Sequence, residues 1–143
     1  YLPMITCSKT YADIPFAHRQ PNHDGHCFFI HGHNWSISLE FSSEKLDQNG
    51  FVVDFGKLKY IKRWIDENLD HACILNENDP CLSEFRHSKY FKLFVIPDCS
   101  CEGLSMFLFK TLNDLIREKE GGRVKIIKLT VTEDSKNSTT FSE

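Results

Sequence analysis

His31-Gly32-His33-Asn34-Trp35-Ser36-Ile37-Ser38-Leu39-Glu40-Phe41 is the stretch that decides the fold. From His33 onward it alternates polar and apolar side chains with a period of two, which predicts a half-buried β-strand. Upstream, Met4 to Ala17 contains a strand-like stretch interrupted near Pro15, followed by a Pro-, Asn-, Asp- and Gly-rich loop over Gln20 to Gly25. Downstream, Asn49-Gly50 marks a turn and Phe51-Val52-Val53 a short strand. Asp54 is placed to cap a helix whose apolar stripe is Phe55, Leu58, Ile61 and Ile65, ending near Asn68.

Asp70 to Pro80 reads as polar and irregular, and Phe91 to Ile96 as a short apolar strand. A second helix starts at Pro97 to Ser100. It carries Leu104, Phe107, Leu108, Leu112, Leu115 and Ile116 to about Lys119, before Gly121-Gly122 breaks it. Val124 to Glu133 alternates again, and Thr139 to Ser142 can pair back on it. The order strand, strand, helix, helix, strand, strand predicts an α+β fold: a four-stranded antiparallel sheet with two helices packed on one face. Its two free edges call for cover or pairing, so a homo-oligomer is expected.

The 143 residues fit one domain spanning 1–143. Apolar residues make up 41% and charged residues 26%, which excludes a disordered or collagen-like chain. A net charge of −3 gives no bulk attraction to nucleic acid or an anionic membrane. No apolar run reaches a membrane span. The opening Tyr1-Leu2-Pro3-Met4 lacks a basic segment followed by an apolar one, so no signal peptide is expected. Six scattered cysteines without a CxxC pair are then expected as free thiols in a reducing cytoplasm.

Seven histidines are present, and four of them fall between His23 and His33. In a strand, His31 and His33 point to one face, so two imidazoles align through the backbone alone. Gly32 between them leaves room for a close backbone approach or an unusual dihedral. Alone, such a pair also suits surface donors. A third ligand has to come from a neighbouring element, and His18, which closes the first strand, is the candidate. Three neutral imidazoles with an open fourth position make the catalytic zinc arrangement. Cys27 stands four residues before His31, and a thiol near a cation loses its proton more readily. It can close the metal site as a fourth ligand or act beside it as a base, and spacing does not choose. Asp70-His71 joins a carboxylate to an imidazole, a pairing that fixes a tautomer and stabilises the charged ring. Glu133 ends the last long strand, where a carboxylate can accept two parallel N–H donors.

Taken together, these residues make the chain resemble the family of 6-pyruvoyl-tetrahydropterin and 6-carboxytetrahydropterin synthases. The elements are Ala17-His18-Arg19, Cys27-Phe28-Phe29-Ile30-His31-Gly32-His33-Asn34, Gly50 to Phe55, Leu69-Asp70-His71 with Leu75-Asn76, and Thr132-Glu133, in that order and nearly end to end. The resemblance implies the tunnelling fold, with trimers closing their sheets into a barrel and two trimers stacking. It implies Zn2+ on His18, His31 and His33, Cys27 as the proton-abstracting base, and His71 paired with Asp70 as the second acid/base. Glu133 would grip the pterin ring, with Glu102 beside it in substrate binding.

The implied substrate is 7,8-dihydroneopterin triphosphate. The three-residue gap between Cys27 and His31 resembles the carboxy-forming branch, which releases acetaldehyde and triphosphate and leaves 6-carboxy-5,6,7,8-tetrahydropterin for queuosine precursors. The alternatives are triphosphate elimination to 6-pyruvoyl-tetrahydropterin and a non-catalytic zinc- or pterin-binding protein. The chain departs from the family at Ser100-Cys101-Glu102, in the long stretch from Glu77 to Ile96, at His26, and after Glu133.

Overall fold

In the computed structural model, which describes residues 4–143, the alternating stretch forms strand β2, His31–Ser43. It pairs antiparallel with β1, Thr6–His18, on one side and with β5, Val124–Thr132, on the other. Strand β6, Ser138–Ser142, returns along β5 as expected. The reading of Tyr1-Leu2-Pro3-Met4 falls, but for Met4, outside the described residues.

These four strands are the antiparallel block that the sequence predicts, but the sheet does not stop there. It has six strands in the order β4-β3-β1-β2-β5-β6, and the two additional ones are parallel. Strand β3, Ala72–Asn76, lies inside the stretch read as irregular, and Lys92–Ile96 forms β4 beside it. The reason β3 escapes a sequence reading is physical. Ala72, Cys73, Ile74 and Leu75 are all buried, so the strand is a short apolar run with no alternation, framed by polar residues.

Helix α1, Lys59–Asn68, and α3, Cys101–Glu120, cover one face of the sheet, while a five-residue helix α2, Leu82–Arg86, adds a third helix to the expected two. Beneath them Trp35, Ile37, Leu39 and Phe41 of β2 are completely buried, with Ile61 and Ile65 of α1 and Leu104, Leu108, Leu112 and Ile116 of α3. Each such side chain contributes about 1.5–3 kcal/mol of transfer free energy. The other face stays polar: Thr10 bonds to Ser38 and Thr6 to Glu40.

Three local expectations are corrected. Asp54 accepts from the Gly56 N–H at 2.9 Å, but it caps a 3-10 turn, Phe55–Lys57, and α1 starts two residues later. Phe51-Val52-Val53 forms no strand; Val52 and Val53 are buried as loop residues. Strand β1 is interrupted at a bulge between Tyr11 and Ile14, where Asp13 has φ +58, and not at Pro15. Two residues of β1, Ala12 and Asp13, there oppose Ser36 alone. The extra residue re-phases the strand, so Tyr11, Ile14, Phe16 and His18 all reach the buried side. The C-terminal end of α3 follows the sequence closely, with Gly121 at φ +73 closing it. No described helix is long and apolar enough to cross a membrane.

Candidate metal centre and thiol cleft

The register of β1 on β2 sets His18 directly opposite His31 and Phe16 opposite His33. With His31 and His33 two residues apart on one face, the three rings meet at the end of the hydrophobic layer. Their centroids lie 4.7 Å (His18–His31), 5.4 Å (His18–His33) and 5.0 Å (His31–His33) apart. Trp35 closes the inner side, edge-on to His18 and His33, and is itself stacked on Phe16 at 4.4 Å.

Each of two rings is fixed through one nitrogen. His18 Nδ1 is 2.7 Å from the Cys99 carbonyl oxygen, and His31 Nδ1 is 2.7 Å from that of Phe29. A carbonyl can only accept, so Nδ1 is the donor in both rings, which leaves Nε2 as the nitrogen to offer a metal. His33 Nε2 is buried without a hydrogen-bond partner; the Glu133 carboxylate is 3.7 Å away, too far for one. One nitrogen from each ring lies within 4.8 Å of the others, the one cluster of metal-ligating side chains found among the described residues. Burial lowers the His18 imidazole to about 4 against the opposing effect of the Cys99 carbonyl, and the neighbouring histidines lower it further. The ring is therefore neutral near pH 7, as a ligand has to be. Three imidazoles so placed, one with an orphaned buried nitrogen, fit a metal ion that takes nitrogen ligands.

Cys27 is not part of that cluster. It sits in a 3-10 turn, His26–Phe28, and lines a cleft of about 430 Å³ together with the three histidines, Glu102 and Glu133. Glu102 comes from the first turn of α3, whose start is capped by Ser100 Oγ accepting from the Gly103 N–H. Glu133 follows β5 directly, and its N–H donates to Asn137 O across a turn that the Asp134 carboxylate ties by accepting from the backbone of Lys136 and Asn137. A larger groove of about 690 Å³ between α3 and β5–β6 holds no metal-ligating cluster.

The Asp70–His71 pair forms, with His71 Nδ1 2.6 Å from Asp70 Oδ1. It does not join the cleft. The His71 side chain is 81% exposed, in a left-handed conformation (φ +63) that a backbone bond to Pro15 O holds. Gly32 serves neither purpose expected of it: a Cβ there would meet only Phe16 O, at an ordinary 3.7 Å.

Sequence reasoning missed several supporting groups. Asn76 Oδ1 accepts from the Cys99 N–H at 2.7 Å and so holds the residue whose carbonyl orients His18. Cys101 lines the cleft as a second thiol, with Sγ 3.2 Å from Thr139 Oγ1. Asn76 had a signal, since it belongs to a recognisable motif. The Cys99 carbonyl had none, because any residue type supplies one.

A family model described as 6-pyruvoyl tetrahydropterin synthase matches residues 6–143. A 6-carboxy-5,6,7,8-tetrahydropterin synthase of Rickettsia felis is 39% identical over 77 residues, which span 53% of this chain and 55% of that protein. The match thus covers about half the length of that relative. Among solved structures, an uncharacterised protein from Wolinella succinogenes has a TM-score of 0.83 at 21% identity, with 99% of each chain covered. The 6-pyruvoyl tetrahydropterin synthase of Caenorhabditis elegans has a TM-score of 0.66 at 21% identity, covering 99% of this chain and 97% of that one. At such identities the two structures speak to the fold.

Proposed function

Because the chain belongs to the 6-pyruvoyl tetrahydropterin synthase family, we propose that it converts 7,8-dihydroneopterin triphosphate and water to 6-carboxy-5,6,7,8-tetrahydropterin, acetaldehyde and triphosphate. The observation that carries this reading is the convergence of His18, His31 and His33 in one cleft with the Cys27 thiol. The carboxy-forming branch is favoured by the three-residue gap between Cys27 and His31 and by the activity named for the Rickettsia felis relative. The product belongs ahead of queuosine-type precursors, in the cytoplasm.

In this reading His18, His31 and His33 hold zinc. A bound zinc supplies Lewis acidity to side-chain oxygens of the substrate, which makes the adjoining C–H acidic. Cys27 takes the proton from that carbon, and the His71–Asp70 pair moves the second one. Glu133, with Glu102 beside it, accepts the ring and amino N–H groups of the pterin. A ligand lacking those donors would leave a desolvated carboxylate unpaired, which gives the cleft its selectivity.

The exposure of His71 supports an oligomer. Within one chain it lies away from the thiol cleft, and a second copy can bring the two together. The outer edge of β6 and the Thr6–Ile14 part of β1 on the side away from β2 have no strand partner among the described residues. Pairing these edges between copies closes the sheet into a ring, and we assign a dimer of trimers.

The test is incubation of zinc-loaded protein with 7,8-dihydroneopterin triphosphate and product identification by mass spectrometry. Carboxytetrahydropterin with acetaldehyde is expected. A pyruvoyl product would move the chain to the other branch, and no turnover with zinc bound would make it a pterin- or zinc-binding protein.

A further inference from the structure

The turn that carries Cys27 is closed by two backbone bonds, Phe28 N–H to Gly25 O and Phe29 N–H to His26 O, both 3.1 Å. It has no buried side chain to anchor it. None of its residues is buried, and Phe28 and Phe29 are 41% and 64% exposed. Segments with so few packed contacts sit at the low end of local stability. Yet a proton-transfer group has to keep its place to a fraction of an ångström.

Two neighbouring residues fasten this turn to the end of β1. The Gln20 N–H donates to Cys27 O at 2.7 Å. Arg19, next to the His18 ligand, faces Phe28: its guanidinium lies 4.9 Å from the ring centroid, and Nη1 is 3.5 Å from the carbonyl oxygen.

Arg19 is itself rigidly held. Asp79 accepts from its Nε at 2.8 Å and its Nη2 at 2.7 Å, with side-chain exposures of 7% for the arginine and none for the aspartate. Phe85 of α2 lies 5.7 Å from the guanidinium. Asp79 in turn accepts from the Cys81 N–H at 2.8 Å and donates its own N–H to Asn76 O at 3.1 Å. Asn76 is the residue that holds Cys99, whose carbonyl faces His18. One short segment, Asn76–Cys81, thus braces both the metal-side imidazole and the arginine under the thiol turn.

A buried ion pair is a poor device for stability alone, since apolar residues of similar size serve as well or better. What the arginine fork adds is geometry. Two of its nitrogens grip Asp79 while a third faces Phe28, which a lysine ammonium cannot reproduce. We propose that Arg19, clamped by Asp79, is a positioning residue that holds the Cys27 thiol in register with the His18–His31–His33 cluster. This rests on the reading of Cys27 as the reactive thiol.

The test uses the zinc-loaded protein and the variant Arg19→Lys, which keeps the charge beside Asp79. Three quantities are read: zinc per chain, kcat and KM for 7,8-dihydroneopterin triphosphate, and the rate of Cys27 alkylation by iodoacetamide relative to Cys7 at one pH. The expected result is unchanged zinc, KM within about threefold, kcat lower by about 10²-fold, and Cys27 alkylated about tenfold faster. Wild-type kcat with unaltered Cys27 labelling would overturn the proposal. So would a loss of kcat accompanied by zinc loss and unaltered labelling, which would make Arg19 a support of His18 only.

If Arg19→Lys does not fold, the double variant Arg19→Met/Asp79→Leu replaces the pair by apolar side chains and takes the same readings. Wild-type protein that binds zinc but does not turn over substrate would sink the functional reading. The labelling comparison then decides the positioning by itself, because it needs no substrate.

Discussion

Two histidine sites in this chain are built in opposite ways. The Asp70–His71 pair is made by adjacent residues, at 2.6 Å, and stands on the surface. The cluster of His18, His31 and His33 is made by strand pairing, lies at the end of the core, and has two of its rings fixed by carbonyls, His18 by Cys99 and His31 by Phe29. Adjacency gives a close contact at no cost in chain entropy, but it fixes only one neighbour. Pairing across the sheet brings together groups from distant parts of the sequence and surrounds them with protein, which is what a metal ligand set needs. The cluster is enclosed by its own chain, while the pair faces outward.

The comparison breaks most visibly at His33. His33→Ala is expected to reduce zinc from one per chain to near none, as read by metal analysis of the purified protein. Turnover should fall by about 10³-fold or more, since metal assistance is worth several kcal/mol. Retention of zinc by this variant would mean that the cluster is not the ligand set. Cys27→Ala separates the thiol from the metal: zinc stays, and kcat drops by about 10²–10⁴-fold. Zinc loss there would make Cys27 a fourth ligand. His71→Ala sharpens the contrast further, with zinc and melting temperature unchanged and kcat lower by about 10²-fold. A marked loss of thermal stability in that variant would contradict the exposed position of the ring.

Carboxylates show the same contrast on a smaller scale. The hydrogen bonds from Arg19 hold Asp79 below the usual carboxylate range against the cost of burial, aided by the Cys81 N–H. Its folded-state value is depressed, so its contribution to stability is full above about pH 4 and is lost as the pH falls through that lower value. Asp79→Asn is therefore expected to flatten the acid limb of a stability-versus-pH curve followed by urea unfolding. Asp134 is also lowered, chiefly by the Lys136 N–H, but it lies half-buried on a surface turn. Asp134→Asn should flatten the limb as well but by less, since solvent screens a carboxylate on a surface turn.

Much of the centre was legible from residue spacing. The period of two over His33 to Phe41 gave β2, its parity gave the His31–His33 pair, and the position of His18 at a strand end gave the third ring. Helix α3 was legible from Ser100 to Gly121 because its cap, apolar stripe and stop signal agree. Strand β3 was hidden by full burial, and α2 by its five residues, too few to display a period. Arg19 belonged to a recognisable motif without a visible task, and nothing in the polar run Glu77-Asn78-Asp79-Pro80 singles out Asp79 as its partner.

The sequence by itself determined the local matters: which strands alternate, where α3 starts and stops, and which imidazoles share a strand face. These depend on neighbours within a few positions, and the chain's own geometry enforces them. Tertiary structure decided the rest. The bulge at Asp13 turns His18 toward the core, and the register then sets it opposite His31. The parallel strands bring Asn76 and Asp79 beneath the site, 58 and 60 positions along the chain from His18 and Arg19. Such contacts depend on how a whole sheet pairs and twists, and no local pattern of residues encodes them.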